Sequence, residues 1–82
     1  MPTVLNVDGY RIMIFTDDHD PAHVHVFKAG CNAVVMLHCP TGPPTLRQSE
    51  GFKDPELKKI YNIVASNTKL LCDAWEKIHV QS

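Results

Sequence analysis

From Asp54 onward, apolar residues recur at three- and four-residue steps: Leu57, Ile60, Tyr61, Val64, Leu71, Ala74, Trp75 and Ile78. That spacing predicts one long helix with a single buried stripe. Asp54 can serve as N-cap, Pro55 suits the first helical position, and Glu56 favours the positive end of the helix dipole. In a chain of 82 residues, the helix leaves residues 1–53 to supply the surface it must cover. Asn67-Thr68 interrupts the stripe, so either the helix kinks there or those side chains hydrogen-bond to something buried beside them.

The first 53 residues read as sheet. Thr3 to Val7 and Tyr10 to Thr16 are rich in β-branched and aromatic residues and are separated by Asp8-Gly9, a dipeptide suited to a tight hairpin turn. His23 to Lys28 alternates and Ala33 to Cys39 is nearly all apolar, with Ala29-Gly30-Cys31-Asn32 as the turn between them. Pro40-Thr41-Gly42-Pro43-Pro44 then stops the sheet pattern. Thr45 to Gln48 reads either as a short edge strand or as an extended approach to the helix. The expected fold is α+β: two antiparallel β-hairpins forming a small sheet packed by one long C-terminal α-helix (ββββα), with residues 1–82 a single domain.

A chain this short buries only roughly 60% of the surface its unfolded form exposes, so the core is thin. A net charge of −1, from 8 basic and 9 acidic residues, argues against general DNA binding. Cys31, Cys39 and Cys72 are odd in number, far apart and without a CxxC pair, which reads as neither a disulfide framework nor a zinc ribbon. They suit a reducing cytoplasm. No segment has the basic and apolar pattern of a signal peptide or the ~18 apolar residues of a membrane span, so a soluble cytoplasmic protein is expected.

Chemistry concentrates in Asp17-Asp18-His19-Asp20-Pro21-Ala22-His23-Val24-His25, which holds three of the five histidines and three of the nine acidic residues. Histidine titrates nearest neutral pH and is the commonest nitrogen ligand for transition metals. If His23 to Lys28 is extended, His23 and His25 face the same side. If the second hairpin turns tightly about Gly30-Cys31, His23 lies opposite His38 and His25 opposite Met36, bringing three histidines to one face. Val24, Val26, Val35, Leu37 and Cys39 then form the core face under the helix. Phe27, Val34 and Met36 share the histidine face, so a second subunit is expected to cover part of it, giving a homo-oligomer.

The segments Met1-Pro2-Thr3-Val4-Leu5, Asp8-Gly9-Tyr10-Arg11, Asp18-His19-Asp20-Pro21-Ala22-His23-Val24-His25 and Ala74-Trp75, in that order, resemble the small bacterial family called domain of unknown function 4160. The resemblance spans nearly the whole chain. It implies a compact α+β protein, often encoded beside a small cognate partner in pairs suspected of being toxin–antitoxin modules. It also marks His19, His23, His25 and Asp18 as the positions to carry over. One stretch departs from the pattern: after Gly30 the family is usually charged, whereas Cys31 to Leu37 here is apolar.

Three readings of the cluster follow. The histidines are structural, bonding to backbone carbonyls and to Asp17, Asp18 or Asp20 within a non-enzymatic accessory or interaction module. Or His23 and His25, with His19 or His38 and with Asp18 as ligand or orienter, hold a transition metal such as zinc, nickel or copper. Or His19, His23 and His25 perform general acid–base catalysis on RNA, as a ribonuclease toxin would need, with Arg11 and Lys28 the nearest strand-borne cations. Trp75 and Tyr61 are expected in the core.

Overall fold

The structure, a computed structural model, describes residues 3–80. Met1 and Pro2, which open the N-terminal motif, lie outside the described residues. Five antiparallel strands form one meander in sequence order: β1 (Thr3–Val7), β2 (Tyr10–Met13), β3 (His23–Lys28), β4 (Cys31–Met36) and β5 (Thr45–Glu50). Two helices follow, α1 (Asp54–Ser66) and α2 (Thr68–Val80). The α+β class holds, with differences in its elements: β2 ends at Met13 and not Thr16, β4 runs from Cys31 to Met36 and not from Ala33 to Cys39, Thr45 to Glu50 is a full edge strand, and the long helix is divided.

The division falls at Asn67, whose backbone (φ −122°, ψ 20°) leaves the helical region. Its side-chain amide donates to the Ile63 carbonyl at 2.8 Å, and the Thr68 hydroxyl bonds to the Val64 and Ala65 carbonyls. Side chains that bond back to the preceding turn compete with the helix's own ladder and bend it. At the other end the N-cap is Lys53, not Asp54. The Lys53 N–H donates to Glu56 Oε1 at 3.3 Å, so Asp54 becomes the first helical residue and sits at the positive dipole end.

Both hairpins close through two-residue turns with positive φ, Asp8-Gly9 (53° and 84°) and Ala29-Gly30 (50° and 80°). This is the backbone that matches the twist of antiparallel strands. The second turn lies one residue earlier than the Gly30-Cys31 expectation. The register therefore moves by two: His23 pairs with Met36 and His25 with Val34. A two-residue slip keeps every side chain on its expected face, because the period of a strand is two. It does, however, remove His38 from the place opposite His23.

The core lies between one sheet face and the helices. Tyr10 and Ile12 of β2, Val24 and Val26 of β3, and Ala33 and Val35 of β4 join Ile14, Leu37, Phe52, Ile60, Val64, Leu71 and Trp75 in one buried cluster. Tyr61, expected there, is 38% exposed, and Cys39 is exposed on the loop after β4. Cys39 is instead bonded to Cys72 of α2 as a disulfide, contrary to the expectation that spacing and odd number argue against disulfide pairing; Cys31 is the free thiol. Proximity of two cysteines 33 positions apart is a tertiary fact that spacing does not encode.

Gly51 links β5 to α1 at φ +91°, and a Cβ built on it would stand 2.7 Å from Cys31 Sγ and 3.2 Å from Cys31 Cβ. Gly51→Ala therefore adds strain to a steric clash. It is expected to lower unfolding stability by about 1–3 kcal/mol, read as a shift of the urea midpoint.

Candidate functional site

The site is built on the sheet face that the helices leave open. Strand β3 projects His23, His25 and Phe27 to this side, and the neighbouring strands add Met13 and Arg11 from β2 and Met36 and Val34 from β4. The segment joining β2 to β3 folds back through a reciprocal pair of bonds. The Phe15 N–H donates to Asp18 Oδ2 at 3.2 Å, and the Asp18 N–H donates to the Phe15 carbonyl at 3.1 Å. This turn delivers the Asp18 carboxylate to the histidine pair.

Asp18 Oδ2 stands 3.2 Å from His25 Nε2 and 3.5 Å from His23 Nε2. The three side chains are sheltered, with 16%, 22% and 12% exposure for Asp18, His25 and His23. His23 Nδ1 lies 2.9 Å from the Pro21 carbonyl, which can only accept, so the ring proton belongs on Nδ1. With that tautomer, His23 Nε2 turns its lone pair toward the Asp18 carboxylate at 3.5 Å, an arrangement that a cation between the two would complement.

Aromatic rings hold the histidines in place. Phe15 meets His25 edge-on at 4.5 Å, and His23 and His25 meet at 5.2 Å. Trp75 of α2 lies 5.2 Å from His23, and its indole N–H donates to Asp20 Oδ1 at 3.2 Å. The ring of His79 stacks on Trp75 at 3.9 Å, with Nδ1 on the Trp75 carbonyl at 3.0 Å and Nε2 buried without a partner among the described residues.

Asp18, His23 and His25 are thus brought together, and their three donor atoms lie within 4.8 Å of one another. His19 is exposed and stands outside this constellation. His38, at φ +53° beyond the end of β4, bonds through Nε2 to Thr45 Oγ1 at 2.8 Å and is not part of it either. Lys28, expected as a substrate cation, is engaged elsewhere: its Nζ donates to the Asp8 carbonyl and lies 4.3 Å above the Tyr10 ring. Arg11 sits opposite Phe27, on the open face.

Two contributors escaped the sequence reading. Trp75 is core, as its place on the stripe predicted, and also braces the site. Arg47 of β5 lines a hollow with His23, His25, Val34 and Gln48, although alternation from β4 would have sent it to the other face. No signal short of the three-dimensional register could have placed it.

No helix among the described residues is long and apolar enough to cross a membrane. No curated protein and no solved structure matches the chain. The Asp-His-Asp-Pro-Ala-His-Val-His segment and the Trp75 that braces it fall inside residues 9–76, over which the model of the family described as Domain of unknown function (DUF4160) matches, and the chain belongs to that family.

Proposed function

We propose that this protein binds a divalent transition-metal ion through Asp18, His23 and His25, and works as a hydrolytic component of a small toxin–antitoxin-type pair. The observation that carries the metal reading is the His23 ring, whose Nδ1 is committed to the Pro21 carbonyl while its Nε2 faces Asp18 Oδ2. A carbonyl on the far nitrogen is the usual way proteins orient a metal-ligating imidazole. Two of the three spacings are those of such a site: ligand atoms about 2.0 Å from a tetrahedral zinc stand roughly 3.3 Å apart, against 3.2 and 3.5 Å from Asp18 Oδ2 to the two histidines, and the three donor atoms together lie within 4.8 Å. Three protein ligands leave one coordination position open for water, as in catalytic zinc sites. The two-component setting, with a small cognate partner, rests on the family resemblance.

A second reading keeps the protein non-enzymatic, as a homo-oligomeric interaction module. It is favoured by the Phe15–Asp18 turn and the His25–Asp18 bond, which would cross-link the β2–β3 connection without any ion. Elemental analysis of untagged protein purified without chelator, followed by titration with zinc, nickel and manganese, separates the two. The metal reading expects near-stoichiometric binding with proton release. It also expects affinity lower by at least about a hundredfold in His23→Ala/His25→Ala, in a variant whose circular dichroism stays native. A wild type that binds no metal, together with a double variant that melts earlier, would establish the structural role instead.

A further inference from the structure

Strand β5 reaches the open face through an irregularity. Asn32, Ala33 and Val34 of β4 pair with Glu50, Ser49 and Gln48, but Val35 then pairs with Leu46 and Met36 with Thr45. Arg47 is the extra residue. Had the register continued, Arg47 would have stood opposite Val35, a fully buried residue of the core face. The bulge puts Leu46 there and turns Arg47 to the side of Gln48, into the hollow lined by His23, His25 and Val34. Bulges at sheet edges re-aim side chains in this way, frequently beside active sites. Among the described residues Arg47 makes no ion pair, so the positive charge it brings to the hollow is unneutralised.

We infer that Arg47 and Gln48 form the subsite for a phosphoryl group of the ligand that binds at Asp18, His23 and His25. This rests on the metal reading above. A guanidinium fork takes two oxygens of one oxyanion, and the Gln48 amide can add a further donor. A tetrahedral phosphoryl group can satisfy that fork and still offer a third oxygen toward the histidines. The two oxygens of a carboxylate are used up by the fork alone. The cation for the anionic ligand thus comes from β5, across β4 from the histidines, and not from Arg11 or Lys28.

The test uses the full chain loaded with cobalt(II), whose visible absorption reports its ligands, titrated with inorganic phosphate and, separately, with acetate. Phosphate is expected to change the spectrum of the wild type. In Arg47→Ala the phosphate affinity should fall by about tenfold or more, cobalt affinity should be unchanged, and Arg47→Lys should recover part of the loss. Arg11→Ala should bind like the wild type. Equal phosphate affinity in wild type and Arg47→Ala overturns the inference. Acetate binding with the same dependence on Arg47 overturns the phosphoryl assignment. Should cobalt fail to bind the wild type, the metal reading is lost, and the subsite is then judged on the metal-free protein by amide NMR shifts during phosphate titration. Shifts around Arg47, His23 and His25 that vanish in Arg47→Ala uphold it, and their absence from the wild type overturns it.

Discussion

Trp75→Ala is expected to lower unfolding stability by about 3–5 kcal/mol, the usual result of truncating a buried tryptophan. A chain of this length has roughly 4–12 kcal/mol in total, so the loss removes from about a quarter to all of its stability. Trp75 closes the core beside Leu71 and Val64, stacks on His79, and fixes Asp20 through its indole N–H. Trp75→Phe separates these roles. It keeps most of the apolar contact but leaves Asp20 Oδ1 without its donor, and should lower stability by only about 1–2 kcal/mol. If the β2–β3 connection needs that bond to aim Asp18 at the histidines, the phenylalanine variant should also bind metal several-fold more weakly. Urea unfolding followed by circular dichroism gives the first quantity, since Trp75 is the sole tryptophan and its fluorescence is lost with it. An alanine variant within 1 kcal/mol of the wild type would show that the α2 side of the core contributes far less than its burial implies.

Cys72→Ser is expected to be nearly as damaging. The Cys39–Cys72 bond closes a loop with a sequence separation of 33 and fastens the segment after β4 to α2. Restriction of the unfolded chain by a loop of that size corresponds to about 4 kcal/mol. Reduction with dithiothreitol should produce a loss of the same size, whereas Cys31→Ser should leave the midpoint unchanged. Thiol titration of denatured, unreduced protein should find one reactive group per chain, from Cys31. Three reactive groups would mean that the pair exists as thiols, as a reducing cytoplasm would favour, and the stability difference should then vanish.

Much of the fold was legible because the signals lie between near neighbours. Asp8-Gly9 announces its hairpin through the φ values the dipeptide tolerates. The Leu57 to Ile78 stripe announces a buried helical face, and alternation puts His23 and His25 on one side of β3 whatever the partner strand. The expectations that failed involve competition or distance. Lys53 took the N-cap position from Asp54 because Glu56 bonds back to its N–H. Asn67 ended a helix that periodicity would have continued, because its amide and the Thr68 hydroxyl found carbonyls one turn back. Tyr61 satisfied the stripe's spacing but falls on its outer edge, with its surface partly in water.

Sequence alone determined the α+β class, the Asp8-Gly9 hairpin turn, the apolar face of the C-terminal segment and the placing of His23 and His25 on one side of β3. These follow from dihedral preference and from periods of two and 3.6, which act between residues a few positions apart. Tertiary structure decided that His38 stays away from His23, that Trp75 reaches 55 positions back to Asp20, that Cys39 meets Cys72, and that a bulge in β5 turns Arg47 toward the histidines. Each of these depends on register or on packing between distant segments. There, a shift of one or two residues along a strand changes which atoms meet while leaving the local pattern of the chain unaltered.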